Sequence, residues 1–305
     1  MKHIVLGHPS DAHVTHMLAS LAAGGFQAHL IDTSRFPGEL QLSLRPQHGG
    51  GTLRLADGTL LDLEQIGSVY WRNFCGVGQG TRARAPRGSL DDIAYYDSMA
   101  CIRSWFQAEL PTRWFNSWTA FQSHQEKPHQ LRLAAQAGAT IPRTYIGNDI
   151  EQARAFCAAE GDVIFKPVYG GAHTERITPQ HLESAHMSKA LALAPITLQQ
   201  FVAGTNVRTY AIGDQLFTAE LNSGNIDFRT DRDMEIRPIE LPPAQAALVP
   251  AIMRSLDLNW TAIDWRRDHD GRYYFLEANP SPMFLGMERR SGFPLGDTLL
   301  KAMTA

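Results

Sequence analysis

Apolar positions along this chain switch between alternating and helical spacing, and the switches mark out its elements. His3 to Gly7 is a short apolar run that reads as a strand. From Asp11 to Ala23, Val14, Met17, Leu18 and Leu21 fall on one helical face, closed by Gly24-Gly25. Phe26 to Ile31 returns as a strand, so the chain opens as a βαβ unit, without the GxGxxG fingerprint of a dinucleotide site. Leu40 to Leu44 and Thr52 to Leu55 alternate like hairpin strands, with Gly49-Gly50-Gly51 and Asp57-Gly58 as turns. Ser68 to Trp71 is another strand, ending at Arg72. Ser89 is placed to cap a helix running to about Leu110, which Pro111 stops.

The middle third begins near Trp114-Phe115-Asn116-Ser117, and its spacing predicts a helix from about His124 to Gln136, closed by Gly138. After Ile141 to Tyr145, Asp149 caps a further helix, with Gln152 as its reciprocal partner and Gly161 as its end. Val163 to Val168 reads as a buried strand, with Pro167 at an edge or strand end. The last third is richer in strands: Thr197 to Val202, Val207 to Ile212 and Leu216 to Leu221, the last two joined by Gly213-Asp214. Pro243 to Leu256 is helical with a kink at Pro250, and a short helix from Asp297 to Met303 ends the pattern. No internal repeat or low-complexity tract is present.

Between those two helices lies the segment with the clearest chemistry, a hairpin from Asp264 to Asn279 turning at Asp268-His269-Asp270-Gly271. Side chains alternate along a strand, so Glu277 and Asn279 project the same way. If Arg267 pairs with Arg272, Asp264 falls opposite Phe275, on the face of Glu277 and Asn279. Three hard oxygen ligands then converge, which is the chemistry of Mg²⁺. For this segment alone, a surface hairpin with scattered polar residues fits as well. The upstream lysines favour the first reading. Lys166 ends an apolar strand and precedes Gly170-Gly171, where a strand-held lysine can reach nucleotide phosphates. Lys127 opens a helix, whose dipole also favours anions. Gln199-Gln200-Phe201-Val202 ends a strand and can offer backbone groups and apolar walls to a flat base, although for this segment alone an ordinary core strand is the better reading.

Composition narrows the class. The chain has 305 residues, room for two or three small domains, with 44% hydrophobic and 19% charged residues. A net charge of −3 gives no basic field for nucleic acid, and the loose Arg82, Arg84, Arg87 cluster reads as a solvated loop. Cys75, Cys101 and Cys157 are far apart, with neither zinc nor disulfide spacing, which suits a reducing cytoplasm. The N-terminal apolar run is too short for a signal peptide, and no stretch approaches a membrane span. The histidines show no HExxH-like spacing and none is assigned to catalysis.

The order of these pieces resembles an ATP-grasp carboxylate–amine ligase. The resemblance is carried by Lys127, Phe165-Lys166-Pro167, Gln199 to Val202, Asn206-Val207-Arg208, Ile226-Asp227-Phe228-Arg229, Ile263-Asp264 and Leu276-Glu277-Ala278-Asn279-Pro280-Ser281-Pro282. It implies an α/β (α+β) ATP-grasp fold: an N-terminal βαβ pre-ATP-grasp domain over 1–115, a central lobe over 116–195 and a C-terminal lobe with the metal site over 196–305, the two lobes clasping the nucleotide. Lys127 and Lys166 would bind the phosphates of ATP, Gln199, Gln200, Phe201 and Val202 the adenine, and Asn206, where related enzymes often have an acid, the ribose. Arg208 and Arg229 would be catalytic, facing the γ-phosphate or the substrate carboxylate, and Asp264, Glu277 and Asn279 would hold Mg²⁺.

The N-terminal third looks like one branch of that superfamily, the microviridin or graspetide peptide ligases. Here the resembling pieces are Asp32 to Pro37, Ser68 to Arg72, Pro142-Arg143-Thr144 with Asn148-Asp149, and Met287-Glu288 with Ser291-Gly292. The loop Tyr169 to Thr174 is poorer in glycine than many family lids, and Ser281-Pro282-Met283-Phe284 departs from the asparagine-glycine form of many macrocycle-forming members. The implied reaction activates a carboxylate as an acyl-phosphate and joins it to an amine or hydroxyl, on a ribosomally made peptide. A ligase for free amino acids or small peptides, similar to ribosomal-protein glutamate ligases, and a non-catalytic nucleotide binder are the alternatives. Related enzymes often form dimers or tetramers, and the apolar N-terminal helix could serve a homo-oligomer.

Overall fold

Parallel neighbouring strands need a crossover, usually a helix, and the chain begins in this way. The computed structural model describes residues 1–47, 49–78, 85–169, 174–223 and 234–305. β1 (Lys2–Leu6), α1 (Ala12–Ala23) and β2 (Gln27–Ile31) form the expected βαβ unit, with Asp11 accepting a hydrogen bond from the His13 amide as the helix cap. A small antiparallel sheet follows, of β3 (Gln41–Arg45), β4 (Gly50–Arg54) and β5 (Leu60–Asp62). Gly50 and Gly51 lie inside β4 rather than in a turn: a Cβ on Gly51 would come within 2.3 Å of the Ser43 carbonyl oxygen, so the strands pack closely there.

β6 (Ile66–Trp71), α2 (Leu90–Phe106) and β7 (Arg113–Phe115) complete a parallel sheet in the order β2-β1-β6-β7. Ile4, Leu6, Val69 and Trp71 meet Ile102, Trp105 and Phe106 of α2 in one core cluster. α2 ends at Phe106, before the expected Leu110. The next helical stretch breaks in two, α3 (Trp118–Gln125) and α4 (Lys127–Gln136). Pro128 explains the break: it has no amide hydrogen to continue a helix and suits only the first turn, where it sits.

Then come β8 (Thr144–Gly147), α5 (Ile150–Glu160), β9 (Val163–Pro167), β10 (Glu175–Arg176), α6 (Pro179–Leu182), α7 (Ser184–Leu193) and β11 (Ile196–Gln200). The strands form an antiparallel sheet in the order β10-β9-β11-β8. One face packs Val163 and Leu198 on Ala153, Cys157, Met187 and Leu191. Register and alternation put Thr144, Ile146, Lys166, Thr197 and Gln199 on the other face.

The remaining strands are β12 (Thr205–Ile212), β13 (Gln215–Asn222), β14 (Glu235–Ile239), β15 (Trp260–Arg267) and β16 (Tyr273–Asn279), with α8 (Pro243–Ser255) between β14 and β15. Their sheet order is β14-β13-β12-β15-β16, and α8 keeps Pro250 inside the helix. α9 (Leu285–Ser291), unforeseen from spacing, and α10 (Leu295–Thr304) close the chain.

Contacts divide the chain into two compact units. The first holds Met1–Phe121, Asp257–Trp260 and Pro280–Ala305, the second Gln122–Leu256 and Thr261–Asn279. By their contacts, residues 257–260 and 280–305 therefore group with the N-terminal part of the chain and not with the strands beside them in sequence. Within the first unit, the fully buried Asn116 side chain donates to the carbonyls of Trp260 (2.7 Å) and Pro280 (2.6 Å) and accepts from the Asn259 amide (2.6 Å).

Candidate functional site

The late hairpin carries the acidic residues, in a register that differs from the sequence expectation. Arg267 pairs with Tyr273, not Arg272, and Asp264 stands opposite Glu277, not Phe275. The turn is the cause. The Asp268 carboxylate accepts the backbone amides of Asp270 (3.0 Å) and Arg272 (2.8 Å), which extends the loop by one residue. A bulge at Leu276 absorbs the slip, between the Asp264–Glu277 and Trp265–Phe275 pairs. Trp265 and Phe275, both in the core with rings 5.8 Å apart, take one face. Asp264, Glu277 and Asn279, with Asn279 opposite Ala262, take the other. The three oxygen-bearing side chains therefore share one strand face, and the bulge turns Phe275 away from them.

Cations surround both carboxylates. Arg208 grips Asp264 with two parallel bonds of 2.7 Å, a fork geometry that holds the carboxylate plane. Lys127 donates to Glu277 at 2.7 Å. Burial, the largest single influence on Glu277, works to raise its pKa; Lys127, His124 and Lys166 together override it and hold the carboxyl at about 2. Glu277 is thus ionised at neutral pH. Two carboxylates and a side-chain amide on one face are a hard-oxygen donor set that fits Mg²⁺. Among the described residues no group of three or more His, Cys, Asp or Glu could hold a metal, as the third donor here is an amide.

A second layer fixes the strand that bears these ligands. Gln130, on α4 one turn beyond Lys127, accepts the Ala278 amide at 3.0 Å and donates to the Ala278 carbonyl at 3.0 Å, standing in for a neighbouring strand. His124 lies 2.9 Å from that carbonyl through Nδ1, and burial followed by the Lys127 charge lowers its pKa to about 4, so the ring is neutral and Nδ1 donates. Neither residue stood out in the sequence, although the spacing from Lys127 to Gln130 puts both on one helix face.

On the first sheet of this unit, Lys166 donates to the Gln199 side-chain oxygen at 3.1 Å, and the Gln199 amide donates to Thr144 Oγ1 at 2.9 Å. The buried Thr197 hydroxyl on the same face has no hydrogen-bond partner among the described residues. A hydroxyl left open beside a lysine suits a polar ligand over this sheet. An open cavity of about 570 Å³ adjoins, lined by Pro128, Leu131, Ile141, Thr144 and Ile146 among others. Beyond the sheet, the Gln200 amide donates to Arg143 O and the Phe201 amide to Asp162 O, both at 2.9 Å. Arg176 stacks on the Phe201 ring at 4.0 Å. Asn206 is buried and accepts from Arg266, which also holds the carbonyl of the nearly buried Val202. Arg229 lies outside the described residues.

Residues 124–303 match the model of the RimK-like ATP-grasp domain, more than half of the chain. The chain belongs to this family. It is an ATP-grasp ligase, and its α/β architecture is the ATP-grasp fold. Solved structures resemble the ligase from end to end. The ATP-grasp ligase PsnB complexed with minimal precursor is 30% identical, with 99% of this chain and 97% of that chain covered and a TM-score of 0.83. The same protein with minimal precursor, Mg and ADP gives 29% identity over 99% and 98% of the two chains and a TM-score of 0.81. The macrocyclase MdnC of Microcystis aeruginosa MRC, bound with precursor peptide MdnA, shares the fold at 24% identity, with full coverage of both chains (100% each) and a TM-score of 0.83. Among curated protein sequences, none matches the ligase. No helix of the described residues is long and apolar enough to cross a membrane.

Proposed function

We propose that this ligase uses ATP to activate a carboxylate of a ribosomally made precursor peptide and joins it to an amine or hydroxyl of the same peptide. The observation that supports the nucleotide half is the pairing of Asp264 with Glu277 on one strand face, with Lys127 bonded directly to Glu277. The peptide half is supported by the similarity to PsnB, which extends over 99% of the chain and so beyond residues 124–303 of the family domain.

In this reading Lys127 and Lys166 bind the phosphates, Gln199, Gln200, Phe201 and Val202 border the base, and Asn206 meets the ribose. Asp264, Glu277 and Asn279 would hold Mg²⁺, which supplies neutralising charge for the phosphate oxygens when bound. The substrate carboxylate attacks the γ-phosphorus and ADP leaves. The amine or hydroxyl then attacks the acyl carbon and gives up a proton, and the carbon–oxygen bond to phosphate breaks, its electron pair leaving with the phosphate. Arg208 holds the Asp264 carboxylate in plane, and Arg229 and Lys166 add positive charge for the transferred group. No side-chain nucleophile is needed. Water must be excluded, because an acyl-phosphate hydrolyses. The setting we assign is a reducing cytoplasm, where precursor peptides are made and where three separate free cysteines stay reduced.

The test is to incubate the ligase with Mg-ATP and a precursor peptide rich in Thr, Ser, Lys, Asp and Glu, and weigh the product. Loss of one water per bond formed, together with equal ADP, is expected. Turnover of free amino acids with no reaction of the peptide would replace this reading with a small-molecule ligase.

A further inference from the structure

Arg266 belongs to none of the roles assigned so far, yet its position ties together three parts of the site. It follows Asp264 by two residues on the unbulged strand β15, so its side chain leaves the same face. From there Nε donates to the Val202 carbonyl at 2.8 Å and a terminal nitrogen donates to Asn206 Oδ1 at 2.9 Å. The guanidinium also lies 5.7 Å from the centre of the Phe201 ring. One rigid fork thus reaches Phe201, Val202 and Asn206 from the strand that bears Asp264.

A second contact shows how closely this segment is seated. Gly204 has φ +146, and a Cβ there would fall 1.9 Å from the Arg267 carbonyl oxygen. The backbone between Val202 and Asn206 therefore lies directly against the end of β15, where only glycine fits.

The chemistry of the fork sets what Asn206 can offer. Arginine has donors only, so the Asn206 atom facing it must be the amide oxygen. Asn206 is left with its two N–H groups for any other partner. Val202 likewise has its carbonyl engaged by Arg266.

We infer that Arg266 is a positioning residue for the nucleotide, clamping the 199–202 strand end to the metal-bearing hairpin and turning Asn206 so that it presents donors to the ribose. This rests on the roles given under Proposed function. A ribose hydroxyl meeting a neutral N–H is recognised as an acceptor through an ordinary hydrogen bond. Loss of one such bond changes affinity about two- to tenfold. The ligase should accordingly separate ATP from 2′-deoxy-ATP by no more than about tenfold.

The test uses the full chain and the variants Arg266→Leu and Arg266→Lys. Binding of a non-hydrolysable ATP analogue with Mg²⁺ is read by titration calorimetry, and kcat and KM by ADP release. Arg266→Leu should weaken analogue binding at least about tenfold and raise the KM for ATP in parallel, since two charged hydrogen bonds are lost. At saturating ATP its kcat should stay within about threefold, and the KM for peptide should not move. Arg266→Lys, which keeps the charge but can satisfy fewer acceptors, should fall between. It also supplies the readout should the leucine variant not fold. Wild-type analogue affinity in both variants would overturn the inference while leaving the ligase reading intact. So would a loss confined to kcat. Failure of the wild type to bind the analogue at all would overturn both.

Discussion

Replacing Glu277 by glutamine separates the present account from the usual behaviour of an acidic cluster. Neutralising one acid among like charges ordinarily relieves repulsion and stabilises the fold. Here the neighbours charged at neutral pH are cations: Lys127 at 2.7 Å, with Lys166 acting on the same carboxyl. A carboxyl held at about 2 in place of its ordinary 4.5 corresponds to about 3 kcal/mol of folding stability. The sign follows from proton uptake. The unfolded chain takes up the proton first as pH falls, so this stability is fully present above the ordinary value and is lost towards the folded one. Glutamine lacks the charge at every pH. With Lys127 free to swing towards solvent, the loss at neutral pH should settle at about 2 kcal/mol. Urea unfolding of the wild type, Glu277→Gln, Lys127→Met and the double variant measures it. The double variant should recover much of the loss, because it leaves no unpaired charge. A Glu277→Gln protein as stable as the wild type, or more so, would refute the charge arrangement drawn here. The same variant should release no ADP above background, as the remaining donors hold a metal poorly.

Further outcomes follow from the supporting contacts. His13 Nε2 accepts the amides of Phe284 (3.0 Å) and Leu285 (3.3 Å), so the ring must be neutral, and burial, followed by the Arg72 charge, lowers its pKa from 6.5. The contribution of His13 is present above that value and is lost as pH drops below it. The urea midpoint should therefore fall between pH of about 8 and about 5.5, and His13→Gln should flatten part of that fall. An undiminished fall in the variant would count against the assignment. Gln130→Leu orphans the Ala278 amide, while His124 still serves the carbonyl; a cost of about 1–3 kcal/mol with a raised Mg²⁺ requirement is expected. Unchanged metal dependence would show that Gln130 only packs.

What could be read in the sequence was what depends on local spacing. Alternation alone placed Glu277 beside Asn279, and the period of α1 and its Asp11 cap are plain in the residues themselves. The register of the hairpin was not legible, because it is decided by the Asp268 side chain closing on two amides of its own turn. The break before α4 could have been read from Pro128, whose missing amide hydrogen forbids a helix running through it. Partner choice across long separations was out of reach. Nothing local says that Arg208 will hold Asp264, that Gln130 will act as a strand beside Ala278, or that Arg266 will hold Asn206. Nor does spacing reveal that residues 280–305 pack with the first unit.

The central claim is that a peptide carboxylate becomes an acyl-phosphate at the face shared by Asp264, Glu277 and Asn279. Its most direct test is to label the precursor's side-chain carboxylates with heavy oxygen and follow the label through one round of bond formation by mass spectrometry. Each new bond should leave one heavy oxygen in the released phosphate, with no transfer by Glu277→Gln. Bond formation with all of the label kept on the peptide side, or phosphate carrying none of it, would contradict the claim.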